Sequence, residues 1–283
     1  MSRQILAPQD SGLPPVLFLH ANGFPARVYR QFLGQLDSPG GIHAIDRLAL
    51  HTPVSRNWES ITDEVVSEAK ALSLPPIAIG HSVGGYTAMA ALTRHPELFS
   101  GLIMLEPPIL VREKRMVLGL LRLVGLVENF GPAALARRRR DRFDSADQAF
   151  QYFRPKSLFR DFSDEGLRDY VEFGLSPNAN PSASPDGSPN SKGLELSISK
   201  EVEHAIFKQA PWRIPRLNNQ VPAWYLRGSH SNVVSARSGR QIARALPKVE
   251  YLEAQGGHLF PLEHPETSAK LVNSLIQRCL DRF

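Results

Sequence analysis

Short apolar runs alternate with longer amphipathic stretches through the first hundred residues. Residues 16–19 (Val-Leu-Phe-Leu), 42–45 (Ile-His-Ala-Ile), 76–79 (Pro-Ile-Ala-Ile) and 101–105 (Gly-Leu-Ile-Met-Leu) are too short for buried helices and read as strands. Between them, residues 28–36 read as a helix. Residues 58–72 place Ile61, Val65, Val66, Ala69 and Leu72 near helical spacing, and residues 86–92 form a further helix body. The pattern returns at 223–227 and 249–252, each followed by a helical stretch, 235–245 and 265–280. Strands that alternate with helices predict an α/β fold. Its mainly parallel central sheet carries helices on both faces, which explains runs that are apolar throughout rather than at every second position.

The alternation stops between residues 108 and 216. Helical patterns take over at 114–128, 132–143, 145–153, 166–173 and 200–209. We expect residues 1–108 and 217–283 to form the core, with 109–216 inserted as a helical cap over the carboxyl edge of the sheet. Within it, residues 176–192 (SPNANPSASPDGSPNSK) lack apolar anchors and are expected to form a mobile loop. Residues 117–127 are apolar nearly all round, so that helix is expected to be buried, with Leu120 and Leu123 candidates for one wall of a pocket.

Composition narrows the classes. The 283 residues are 42% hydrophobic, enough for one sizeable core. The single cysteine, Cys279, excludes a disulfide framework and a cysteine-based metal site, and suits a reducing, cytoplasmic compartment. Neither a secretory signal nor an apolar segment of the ~20 residues needed to span a bilayer is evident. The formal charge is +5, and residues 109–217 hold 18 Lys and Arg against 14 Asp and Glu. A positive rim, with Arg112, Lys114 and Arg115 as members, would favour anionic or polar-headed substrates and permit transient contact with a membrane surface. The run Arg137-Arg138-Arg139-Arg140 reads as a solvated helix face. No aromatic-interleaved basic stripe accompanies it, so no nucleic-acid partner is expected.

The chemistry centres on Gly80-His81-Ser82-Val83-Gly84-Gly85, between the strand 76–79 and the helix from 86. A serine between close glycines at a strand-to-helix junction is a nucleophile elbow: the turn is tight and strained, and it lifts the hydroxyl clear of the sheet. The same turn aims the first helical amides, Val83 N–H among them, at whatever the hydroxyl attacks. An acyl-transfer serine needs a base and an acid to orient that base. His258, in Gly256-Gly257-His258-Leu259-Phe260, lies between the last strand and the last helix and can reach over the carboxyl edge.

The order His20-Ala21-Asn22-Gly23-Phe24-Pro25, then GHSVGG, then GGHLF before a C-terminal helix resembles the α/β-hydrolase fold superfamily over essentially the whole chain. The resemblance implies that the loop after the first buried strand supplies a second oxyanion donor, the N–H of Asn22, where the family usually has His-Gly and this chain has His20-Ala21. It also implies an acid after the strand 223–227, where this chain has Asn232. An uncharged residue there is a serious departure, since Asp-to-Asn in a serine protease costs ~10⁴ in rate. Glu106, which ends the strand after the elbow helix, stands where haloalkane dehalogenases and some other members carry their acid. The alternatives to Glu106 are Asn232 in a weakened triad or a carboxylate elsewhere.

These observations point to a serine hydrolase that cleaves a small-molecule carboxylic ester, thioester or lactone through an acyl-enzyme, with no metal or organic cofactor. The elbow lacks the nucleophilic aspartate of dehalogenases and epoxide hydrolases. A cofactor-free perhydrolase or haloperoxidase would use the same residues. A catalytically silent binding protein on this fold would account for Asn232 differently.

Overall fold

The computed structural model describes residues 3–6, 11–50, 52–109, 131–178, 193–212, 214–217 and 221–283. The expected helix 114–128, with Leu120, Leu123 and the rim residues Arg112, Lys114 and Arg115, lies outside these residues, as does most of the expected loop 176–192.

The apolar runs form strands β2 (Val16–Leu19), β3 (Ile42–Ile45), β4 (Ile77–His81), β5 (Gly101–Leu105), β9 (Ala223–Gly228) and β10 (Glu250–Ala254), which with β1 (Arg3–Leu6) make one sheet in the order β1-β3-β2-β4-β5-β9-β10. All neighbours are parallel except β1, which runs antiparallel to β3 along the edge.

Successive side chains on a strand point to opposite faces, so each buried run feeds two cores. On one face Val16, Phe18, Ile77, Ile79, Ile103, Leu105, Trp224 and Leu226 pack with the short helix α1 (Arg30–Leu33) and the C-terminal helix α9 (Pro265–Leu280). On the other, Leu17, Leu19, Ala78, Leu102, Met104, Ala223 and Tyr225 pack with α2 (Glu59–Lys70), α3 (Val83–Arg94) and α8 (Ala236–Ala245). Cys279 is buried against the first of these cores and unpaired.

Between β5 and β9 the described residues include α4 (Gly131–Arg138), α5 (Ala146–Phe153), α6 (Asp164–Phe173) and α7 (Lys200–Lys208). Ser145, Ser163 and Ser199 cap the last three of these, each hydroxyl accepting the amide three residues on. The expectation of a helical insert is met by these helices, with one correction. Strands β6 (Arg142–Phe143), β7 (Leu175–Pro177) and β8 (Leu194–Leu196) pair as an antiparallel sheet in the order β6-β8-β7. Strands of two or three residues have too few positions to show a period of two. The insert reaches the core through aromatic packing: Phe24, in the loop after β2, lies 5.1 Å from Tyr170 and 6.2 Å from Phe159 between ring centroids.

Candidate active site

Strand register brings the chemistry to one edge. His81 pairs with Leu105, and Leu105 with Leu226, so Ser82, Glu106 and Arg227–Gly228 leave the sheet side by side at its carboxyl end. Ala254 pairs with Gly228, which brings the loop that follows β10, with His258, to the same edge.

Ser82 stands at the junction of β4 and α3 with φ 53° and ψ −115°. This backbone conformation costs an L-residue on the order of 1–3 kcal/mol, and the surroundings must hold it. The elbow glycines show how. A Cβ on Gly84 would lie 2.3 Å from the Leu19 carbonyl oxygen, and one on Gly80 would lie 2.4 Å from that of Gly84. Only bare backbone lets β2, β4 and α3 approach this closely. Glu106, at the end of the next strand, is also strained, with φ 45°. Two residues with positive φ thus sit at adjacent strand ends.

Ser82 Oγ lies 3.2 Å from His258 Nε2, and His258 Nδ1 lies 3.0 Å from Glu106 Oε1. An ionised carboxylate only accepts, so His258 donates through Nδ1, and its Nε2 lone pair receives the Ser82 hydroxyl proton. Glu106 is fully buried. Its other oxygen accepts the Gly228 amide at 2.6 Å, and Ser231 Oγ donates to Oε1. Ser231 in turn accepts the Val233 and Val234 amides at 3.1 and 3.2 Å, which fixes its hydroxyl proton toward Glu106. Three donors on a buried carboxylate are what its ionised form requires. Asn232, one residue along, is exposed and outside this network.

Val83 is buried at the first position of α3, and Asn22 is partly buried in the loop after β2. Neither backbone amide has an acceptor among the described residues. The Asn22 side chain donates through Nδ2 to the Glu203 carbonyl at 3.0 Å.

Two further histidines support these loops. His81 Nε2 lies 2.9 Å from the His258 carbonyl, which can only accept, so His81 carries its proton on Nε2. Its Nδ1 therefore accepts the Tyr29 hydroxyl at 2.7 Å, and that hydroxyl accepts the Ala21 amide at 3.2 Å. A single chain of hydrogen bonds runs from the loop after β2, through the elbow, to the backbone of His258. Burial holds His81 well below the ordinary histidine value, with the nearby His258 charge next in effect. His20 donates through Nδ1 to the Ala21 carbonyl and accepts the Leu48 amide at Nε2, both at 2.7 Å; burial lowers its pKa to about 4. Both rings are neutral struts. The loop of His258 is braced from outside by Glu263, whose carboxylate accepts the Gly257 amide.

A line from a partly exposed hydroxyl through an imidazole to a buried carboxylate, beside two unengaged amides, can perform nucleophilic acyl transfer, with the amides receiving negative charge on oxygen. Sequence patterning marked Ser82, His258, Glu106, Val83 and Asn22, all of which the fold brings to this edge. It missed the holders Gly228, Ser231, Tyr29 and His81. Only Ser231 left a trace, as a hydroxyl in the loop where an acid was sought.

The sheet order, the strained serine and its neighbours define an α/β hydrolase. The chain matches the alpha/beta hydrolase family over residues 16–271 and belongs to it. Solved structures agree in fold. E-2-(acetamidomethylene)succinate hydrolase superposes with a TM-score of 0.70 at 17% identity, covering 98% of this chain and 100% of that one. The thioesterase domain from the curacin biosynthetic pathway gives 0.68 at 16% identity, over 98% and 99%. A thermophilic esterase from Thermogutta terrifontis gives 0.61 at 17% identity, over 99% and 93%. No curated protein matches by sequence. Family and fold neighbours together support hydrolase activity.

Proposed function

We propose that this protein is a serine hydrolase that cleaves a small-molecule carboxylic ester or thioester through an acyl-enzyme. One observation carries the reading: the unbroken contact from Ser82 Oγ through the His258 ring to buried Glu106, at 3.2 and 3.0 Å. Glu106 holds His258 with its lone pair toward Ser82. As Ser82 attacks the carbonyl, its proton passes to Nε2, and Glu106 stabilises the imidazolium that forms. The Val83 and Asn22 amides hold the oxyanion, each such donor being worth ~3–4 kcal/mol. His258 then protonates the leaving group, and water enters to release the acid by the reverse sequence. Residues 109–216 act as a cap over this edge. A buried, unpaired Cys279 is in keeping with a reducing, cytoplasmic setting.

Supporting the acyl-transfer reading, the fold neighbours carry the titles of a hydrolase, a thioesterase domain and an esterase. The silent-scaffold alternative drew on Asn232; the contact of Glu106 with His258 favours the acyl-transfer reading over it.

A panel of p-nitrophenyl esters of increasing acyl length tests the reading. Wild type is expected to turn over at least one member, and Ser82→Ala to lose ~10⁴-fold or more in kcat/KM while its circular dichroism is unchanged. Turnover by Ser82→Ala near that of wild type would end it.

A further inference from the structure

The four-arginine run at the end of α4 is not a solvated face throughout. Arg139 is largely buried, its side chain 18% exposed, and it is paired at 2.6 Å with Glu203, whose side chain is 11% exposed. A second guanidinium nitrogen of Arg139 donates to the buried Tyr170 hydroxyl at 2.7 Å. One fork thus ties the end of α4 to α6 and α7.

The pair rests on the loop after β2. Asn22 donates its side-chain amide to the Glu203 carbonyl. Gly23 has φ +78°, and a Cβ there would lie 3.4 Å from the Glu203 carboxyl carbon and 3.5 Å from Arg139 Nη1. Phe24 packs on Tyr170 at 5.1 Å. Three consecutive residues of the loop lie against the insert, and the first of them carries the amide assigned above to the oxyanion.

We propose that Arg139 is a positioning residue that sets the oxyanion loop from the insert: its fork holds Glu203 and Tyr170 against the loop, and its charge neutralises the Glu203 carboxylate beside it. The proposal rests on the reading of Asn22 N–H as an oxyanion donor. Its electrostatics are asymmetric. Removing Arg139 leaves a buried, uncompensated negative charge beside the loop. Neutralising Glu203 leaves a cation there, which an oxyanion tolerates, and keeps the backbone carbonyl that Asn22 uses. A pair that served folding alone would not distinguish the two changes in this way.

The experiment compares Arg139→Met, Glu203→Gln and the double variant, with folding checked by circular dichroism. Arg139→Met is expected to lose roughly 10- to 100-fold in kcat with little change in KM, part of the ~10²–10³ that deleting an oxyanion donor costs. Glu203→Gln should stay within about threefold of wild type, and the double variant should recover most of the loss, since the two side chains are directly coupled. Hydrogen–deuterium exchange of the peptide spanning residues 20–25 supplies a readout independent of activity: Arg139→Met should exchange faster there, with the elbow peptide unchanged. If Arg139→Met does not fold, Arg139→Lys carries the test, because it keeps the charge and loses the fork; lower kcat with faster loop exchange supports the proposal. An active enzyme in which the arginine variant is no worse than Glu203→Gln and exchanges no faster overturns it. An inactive wild type whose loop still loosens in the arginine variant overturns the hydrolase reading and leaves the clamp standing.

Discussion

Two neighbouring strand ends converge on His258, and they bring opposite things. The turn after β5 brings charge: Glu106, fully buried, with its carboxylate 3.0 Å from His258 Nδ1. The loop after β9 brings donors without charge: the Gly228 amide and the Ser231 hydroxyl, both on the Glu106 carboxylate. Asn232, in that second loop, is exposed. The acyl-transfer reading proposed above requires a negative charge at one point beside His258, where Glu106 stands. In that reading Glu106 fills the point, the loop after β9 holds the carboxylate in place by hydrogen bonds, and its own residue 232 is free to be neutral.

If that division is right, the two loops should respond unequally to substitution. Glu106→Gln should be the most damaging change in either, losing about 10³-fold in kcat/KM, because an amide neither stabilises the imidazolium nor enforces the tautomer. Steady-state kinetics on the best p-nitrophenyl ester measures it; a mild effect would return the acid to another residue.

Next in size is a pH effect that separates the supporting histidines from the reactive one. Above pH 6.5 folded and unfolded chains both hold His20 neutral. As pH falls toward 4, the unfolded chain binds a proton that the buried ring, at about 4, refuses. Stability should therefore decline across pH 6.5 to 4, by about 3 kcal/mol from His20 alone. His81, lowered in the same direction, adds to the loss. Urea melts at pH 7 and 4.5 check this, and equal midpoints would contradict it.

Ser231→Ala should cost less, about tenfold in kcat/KM, the worth of one hydrogen bond to a charged group, and should leave KM near its original value. Asn232→Ala should be smallest, within about twofold, as expected of an exposed residue outside the network. Asn232→Asp should not raise activity. If it does, the loop after β9 can reach His258 in solution, and the division between the two strand ends fails.

The parts that sequence patterning revealed are those with a period or a compact local signature. Fully apolar runs predicted the buried parallel strands, and the elbow glycines announced the strained serine. Strand β1 left no such mark, being a four-residue edge strand, and β6, β7 and β8 were too short to register. The choice between Glu106 and Asn232 could not be read from spacing, because both follow strands that end at the same sheet edge, and only the fold shows that Glu106 contacts His258 while Asn232 is exposed. Arg139 was hidden more thoroughly. Its burial depends on Glu203, 64 residues away, and on Tyr170. Nothing in a run of four arginines shows which one turns inward.

The central claim is that Ser82 is a nucleophile activated through His258 by Glu106. Its most direct test is labelling by a fluorophosphonate probe, followed by peptide mapping, for wild type, Glu106→Gln and Asn232→Ala. The account predicts a covalent adduct on Ser82, formed at nearly the wild-type rate in Asn232→Ala and far more slowly in Glu106→Gln. No adduct on Ser82 in the folded wild type, or equal labelling rates in all three proteins, would contradict it.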